Sequence, residues 1–144
     1  AEAAAGLVGC PFRLHGRDPA TGVDCLGLVL VALVACGRSA AFTGDSSLRM
    51  RSVAGLVHNA PALGFAEVAG KWRAGDIILF SPGQQQHHLA IANGSGSIIH
   101  AHAGLGAGLR PAAFGANRQR HLRLLSVWHP SFLDLLVLLL PILA

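Results

Sequence analysis

Apolar and polar positions divide the chain into two regimes. Residues 25–35 are an almost unbroken apolar run closed by Gly37, with Asp24 just before it as a fitting N-cap. That pattern predicts a buried helix. Residues 1–8 read as a short helix stopped by Gly9 and Pro11, and residues 12–22 as a loop of turn formers that includes Asp18-Pro19. A further helix is expected over residues 47–59, capped by a serine or Asp45 and ended before Pro61. After Gly70 the apolar runs shorten. Residues 77–80, 89–92, 97–101 and 122–128 read as strands between Gly, Pro, Asn and Ser. Helices first and strands later predict an α+β domain, N-terminal helices packed on a C-terminal antiparallel sheet.

No linker divides the two regimes, so residues 1–131 are expected to form one domain. Residues 132–144 are set apart by LLVLLL at Leu135 to Leu140, interrupted by Asp134 and Pro141. This stretch is shorter than the ~20 residues of a transmembrane helix. It lacks the basic face of an interfacial anchor, so it is expected to pack on the domain or on a partner. No signal peptide is expected in residues 1–9, which carry no basic flank and no long apolar core.

Composition narrows the classes further. With 144 residues, 52% hydrophobic and 12% charged, the chain has material for one core and is not disordered. The formal charge is +4, and every base except Lys71 is arginine. Apart from Arg118, Arg120 and Arg123 the arginines are dispersed, and they are not interleaved with aromatics, which argues against a nucleic-acid platform. Three cysteines, an odd number, argue against a purely intramolecular disulfide framework. On one helix, Cys25 and Cys36 would lie about 16 Å apart, too far to bridge. Cys10 and Cys36 are expected to be small core residues.

Cys25 stands at the first helical position, where exposed N–H groups and the helix dipole favour a thiolate and supply an oxyanion site. Gly27 leaves room for close backbone approach. Taken alone, a cysteine opening an apolar helix is more often a buried, inert thiol. Residues 87–102, HHLAIANGSGSIIHAH, read as a hairpin turning at Asn93-Gly94-Ser95-Gly96. A loop centred on Gly94 puts His88 directly opposite His100, with His102 on the same face and His87 on the other. A base with a second polar group orienting its ring is what a cysteine hydrolase requires. The same histidines fit a zinc trio of His88, His100 and His102 with Cys25 as a fourth ligand, although no established zinc spacing accompanies them. They also fit solvated surface residues, His87 above all.

The stretch GCPFRLHGRDPATGVDCLGL, from Gly9 to Leu28, resembles the N-terminal motif of the NlpC-type cysteine peptidases, where a Gly-x-Pro-Tyr-x-Trp-Gly-Gly segment leads into Asp-Cys-Ser-Gly-Leu. WRAGDIILF, Trp72 to Phe80, resembles the family's Pro-Gly-Asp-Leu strand. HLAIANGSGSIIHA, His88 to Ala101, resembles its His-Val-Gly-Ile…Ile-His-Ala segment. The resemblance implies a papain-like fold with Cys25 as nucleophile, His88 as general base and His100 as the residue orienting it, and no cofactor or metal. It implies Phe12, Arg13, Asp24 and His102 as substrate-binding residues. The implied reaction is hydrolysis of peptidoglycan stem peptides at the bond between D-glutamate, through its γ-carboxyl, and a diamino acid.

Phe12 stands where the family commonly has tyrosine, Leu14 and His15 where it has Trp and Gly, and Leu26 where many members have serine. The Asp-Cys-Leu-Gly-Leu form resembles the branch encoded with phage tails and gene transfer agents. That branch implies a virion-like particle acting at the periplasm and cell wall, with residues 132–144 docking on a tail-tip or hub protein. Two other functions fit the same residues. One is a non-catalytic tail or envelope assembly module; the other is a Cys–His amidase or acyltransferase on another substrate.

Overall fold

The structure, a computed structural model, describes residues 1–38, 57, 60–83, 86–104, 106–111 and 120–124. Its elements are α1 (Glu2–Ala5), β1 (Arg17–Asp18), β2 (Gly22–Val23), α2 (Cys25–Ala35) and a 3-10 turn (Pro61–Leu63). They continue with β3 (Phe65–Val68), β4 (Ile77–Gly83), β5 (Gln86–Ala92), β6 (Ser97–His102), β7 (Gly106–Pro111) and β8 (Arg120–Leu124). β1 and β2 form a small ribbon; the other strands form one antiparallel sheet in the order β3-β8-β4-β5-β6-β7. The expected α+β architecture is what the chain adopts.

α2 begins and ends where its apolar run does. Asp24 is its N-cap, in extended conformation (φ −95°, ψ −175°), and its side chain accepts from the Gly27 N–H. Leu26, Leu28, Val29 and Ala32 are buried. The helix packs on β5 and β6, whose residues alternate between the two faces of the sheet. Leu89, Ile91, Ile99 and Ala101 join Ile77, Leu79 and the α2 residues in the main core. Ile78, Phe80, Ala90, Ala92 and Ile98 form a second apolar cluster with Trp72 packed against it.

Three expectations change. The first helix shortens to Glu2–Ala5, with turns carrying the chain on to Gly9. The hairpin register is displaced: Ile91 pairs with Ile99 and Ala92 with Ile98, so its continuation sets Ala90, not His88, opposite His100. The displacement is by two residues, which keeps His88 and His100 on one face. Cys36, expected in the core, is exposed, because α2 ends at Ala35 and the C-cap falls beyond the packed face. The helix expected over 47–59 lies outside the described residues apart from Val57, which is helical; residues 132–144 lie outside them altogether.

Candidate active site

The N-terminus of α2 is held by one carboxylate. Asp24, 4% exposed, accepts at Oδ1 from the Gly27 N–H (2.7 Å) and from Arg17 Nη1 (2.7 Å). At Oδ2 it accepts from the His15 N–H (2.9 Å). The segment ahead of the helix therefore folds back over its first turn. Phe12 bridges to Val23, and the Arg13 N–H donates to the Val23 carbonyl (3.2 Å). Gly16 carries its carbonyl so close to α2 that a Cβ on Gly27 would overlap it. This is the close approach the glycine had suggested.

Cys25, half-buried, rides on that turn. Burial pushes its thiol above the ordinary thiol range, and the neighbouring Asp24 carboxylate pushes the same way. The backbone amides of Leu89, Leu26 and Cys25 itself pull it down by hydrogen bonding to the sulfur. The net direction is upward, so the helix N-terminus alone does not make a resting thiolate: desolvation outweighs it. The Leu89 amide also shows which strand the sulfur faces. It meets β5 one residue beyond His88.

On β5 and β6 the imidazoles gather. His88 Nε2 lies 2.9 Å from His100 Nδ1, a hydrogen bond. The two rings stand edge to face with centroids 5.1 Å apart, and His102 follows at 6.1 Å from His100. Phe80, paired with His88 across β4 and β5, packs against the His88 ring with centroids 5.0 Å apart. His100, in the middle of the row, is 1% exposed, with His88 half-buried on one side and His102 exposed on the other. Burial, then the charges of His100 and His102, lowers His88 to about 3.

The structure thus joins His88 to His100 and brings Cys25 to the adjacent backbone of β5. Asp24 and Phe12 lie against the same turn. Arg13 is exposed, and His87 is half-buried. Among the described residues, no three His, Cys, Asp or Glu side chains gather in a way that could hold a metal ion. No described helix is long and apolar enough to cross a membrane. Sequence reasoning passed over Arg17 and the packing role of Phe80. Nothing in a loop arginine marks it as the partner of a carboxylate seven residues on, whereas the strand pairing of Phe80 with His88 is legible once the β4–β5 register is known.

A helix-borne thiol set against a hairpin that carries a hydrogen-bonded imidazole pair is the layout of a cysteine hydrolase. The chain belongs to the NlpC/P60 family, whose model matches residues 9–122; it is a family of cysteine peptidoglycan hydrolases. Two solved structures share the fold. The NlpC/p60 domain of the peptidoglycan hydrolase SagA is similar with a TM-score of 0.55 and 24% identity, over 83% of this chain and 92% of that one. An NlpC/P60 family protein from Bacillus cereus ATCC 10987 is similar with a TM-score of 0.60 and 20% identity, over 83% of this chain and 37% of that one. No curated protein matches the chain significantly.

Proposed function

We propose that this chain hydrolyses peptidoglycan stem peptides, with Cys25 as nucleophile, His88 as general base and His100 as the residue that orients His88. The observation that carries the reading is the 2.9 Å contact between His88 Nε2 and His100 Nδ1. If the His88 Nε2–H donates to His100, the lone pair of His88 lies on Nδ1, the nitrogen left to take the thiol proton. Because His88 is lowered and Cys25 raised, the resting pair is a neutral imidazole beside a neutral thiol. Ionisation then accompanies attack.

The steps balance as an acyl transfer. Sulfur adds to the carbonyl carbon as its proton passes to His88, and amides at the start of α2 receive the oxyanion. The tetrahedral adduct collapses, the C–N bond breaks, and the imidazolium protonates the leaving amine. Water, deprotonated by His88, then releases the acyl group from sulfur.

Motif resemblance supports a finer version of the reading. The bond cut is the one between D-γ-glutamate and a diamino acid; Phe12, Arg13 and His102 line the substrate path, while Asp24, expected there too, is buried and holds the turn that bears Cys25. The enzyme serves a phage-like or gene-transfer-agent particle at the cell wall, docked through residues 132–144. Digestion of purified sacculi by wild type and Cys25→Ala, with mass spectrometry of the fragments, tests both levels. Activity absent from Cys25→Ala and a free diamino acid amine in the product are expected. Undiminished release by the variant overturns the catalytic reading, and a different new terminus overturns the bond assignment alone.

A further inference from the structure

The Asp24 carboxylate presents an electrostatic problem that the hydrolase reading leaves unanswered. It is buried, it neighbours the thiol in sequence, and its charge opposes formation of a thiolate. The groups that act on the sulfur are the Asp24 carboxylate and the backbone amides of Leu89, Leu26 and Cys25, with His88 one residue before Leu89 on β5. His88 is neutral over the physiological range and adds no positive charge there. His15 meets Asp24 through its backbone N–H, while its side chain is exposed. Among the described residues the cation seen on Asp24 is Arg17, whose Nη1 donates to Asp24 Oδ1 and to the Gly16 carbonyl, each at 2.7 Å. Gly16 is the same residue whose carbonyl seats on Gly27. One guanidinium nitrogen therefore joins the cap of α2 to the loop lying against its first turn.

Taking Cys25 as the nucleophile, we propose that Arg17 is a positioning residue for it, offsetting the Asp24 carboxylate and locking the first turn of α2. Arg17 touches neither the thiol nor the imidazoles in this role; it acts through Asp24. Without the guanidinium the carboxylate keeps its place, because the Gly27 and His15 N–H groups still hold it, but its charge next to Cys25 loses the offset that Arg17 supplies.

Alkylation of Cys25 by iodoacetamide, followed across pH by peptide mass spectrometry that separates it from Cys10 and Cys36, reads this directly and needs no substrate. Relative to wild type, Arg17→Gln is expected to slow alkylation near neutral pH by about three- to tenfold, with the profile moved to higher pH. Arg17→Lys, which keeps the charge, is expected to recover most of the rate. Asp24→Asn keeps an acceptor for Gly27 and is expected to move the profile to lower pH. An Arg17→Gln profile that overlays wild type in a protein with unchanged circular dichroism overturns the proposal. Should Arg17→Gln not fold, Asp24→Asn decides: an unmoved profile there overturns it equally. Failure to digest sacculi with these shifts intact would count against the hydrolase reading and leave the role of Arg17 standing.

Discussion

At the scale of single residues, the site is set by two opposed protonation preferences. Burial holds the Cys25 thiol protonated and the His88 ring unprotonated. A thiolate–imidazolium pair would give an alkylation rate already on a plateau at mildly acid pH. A neutral pair gives a rate that keeps climbing into the alkaline range as the thiol ionises. Iodoacetamide kinetics on the free enzyme are expected to show the climb, and an acid-side plateau would contradict it. The His100 contact holds the His88 ring in place through Nε2, so its loss is felt in turnover. His100→Ala is expected to lower kcat by about 10²- to 10⁴-fold, the range for an acid–base group left without its orienting partner. His100→Gln keeps an acceptor and is expected to retain more activity than His100→Ala.

At the scale of elements, α2 shows why part of this protein is legible in its sequence. Its boundaries follow from Asp24 and a run of apolar residues, and the structure begins and ends the helix there. The strands of the β5–β6 hairpin are legible from alternation, and the Asn93 side chain supports the turn by accepting from the N–H groups of Ser95 (2.9 Å) and Ser97 (3.3 Å). Register was not legible, because a turn of Asn, Gly and Ser accommodates more than one loop length; the alternation still placed His88 and His100 on one face. β7, GAGLRP, carries no strand pattern of its own and exists through its pairing with β6. The position of Cys25 rests on close packing at Gly27, which a single methyl group tests. Gly27→Ala is expected to push α2 off the Gly16 carbonyl, cutting hydrolysis far more than a helix-favouring substitution should. Leu28→Ala, at a side chain 0% exposed one residue further on, is expected to cost about 2–5 kcal/mol of stability. Denaturant midpoints and sacculus digestion of the two variants separate positioning from packing.

At the scale of the whole molecule, catalytic geometry and stability draw on the same burial. β8 enters the sheet between β3 and β4, and Arg123 on it clasps Asp76 with Nε to Oδ1 at 2.8 Å and Nη2 to Oδ2 at 2.7 Å. Asp76 is 2% exposed and also accepts from the Arg73 N–H, so this clasp joins the last described strand to the turn before β4. The imidazole row sits further along that same sheet, and its desolvation has a consequence for the folded state. His88 binds a proton at about 3 when folded, against 6.5 for an ordinary histidine, which is the value it regains on unfolding. Between those values the unfolded chain carries a proton that the folded chain refuses. Stability therefore rises with pH across the window, is complete above 6.5 and is lost as pH falls toward 3. His88→Gln removes this titration, while its amide can still donate to His100. The urea midpoint of His88→Gln should accordingly fall less steeply than wild type as pH is lowered through the window, with the two curves separating below the ordinary histidine value. Parallel curves would mean that His88 takes up its proton in the folded state as readily as in the unfolded one, and the buried neutral base would have to be abandoned along with the neutral resting pair built on it.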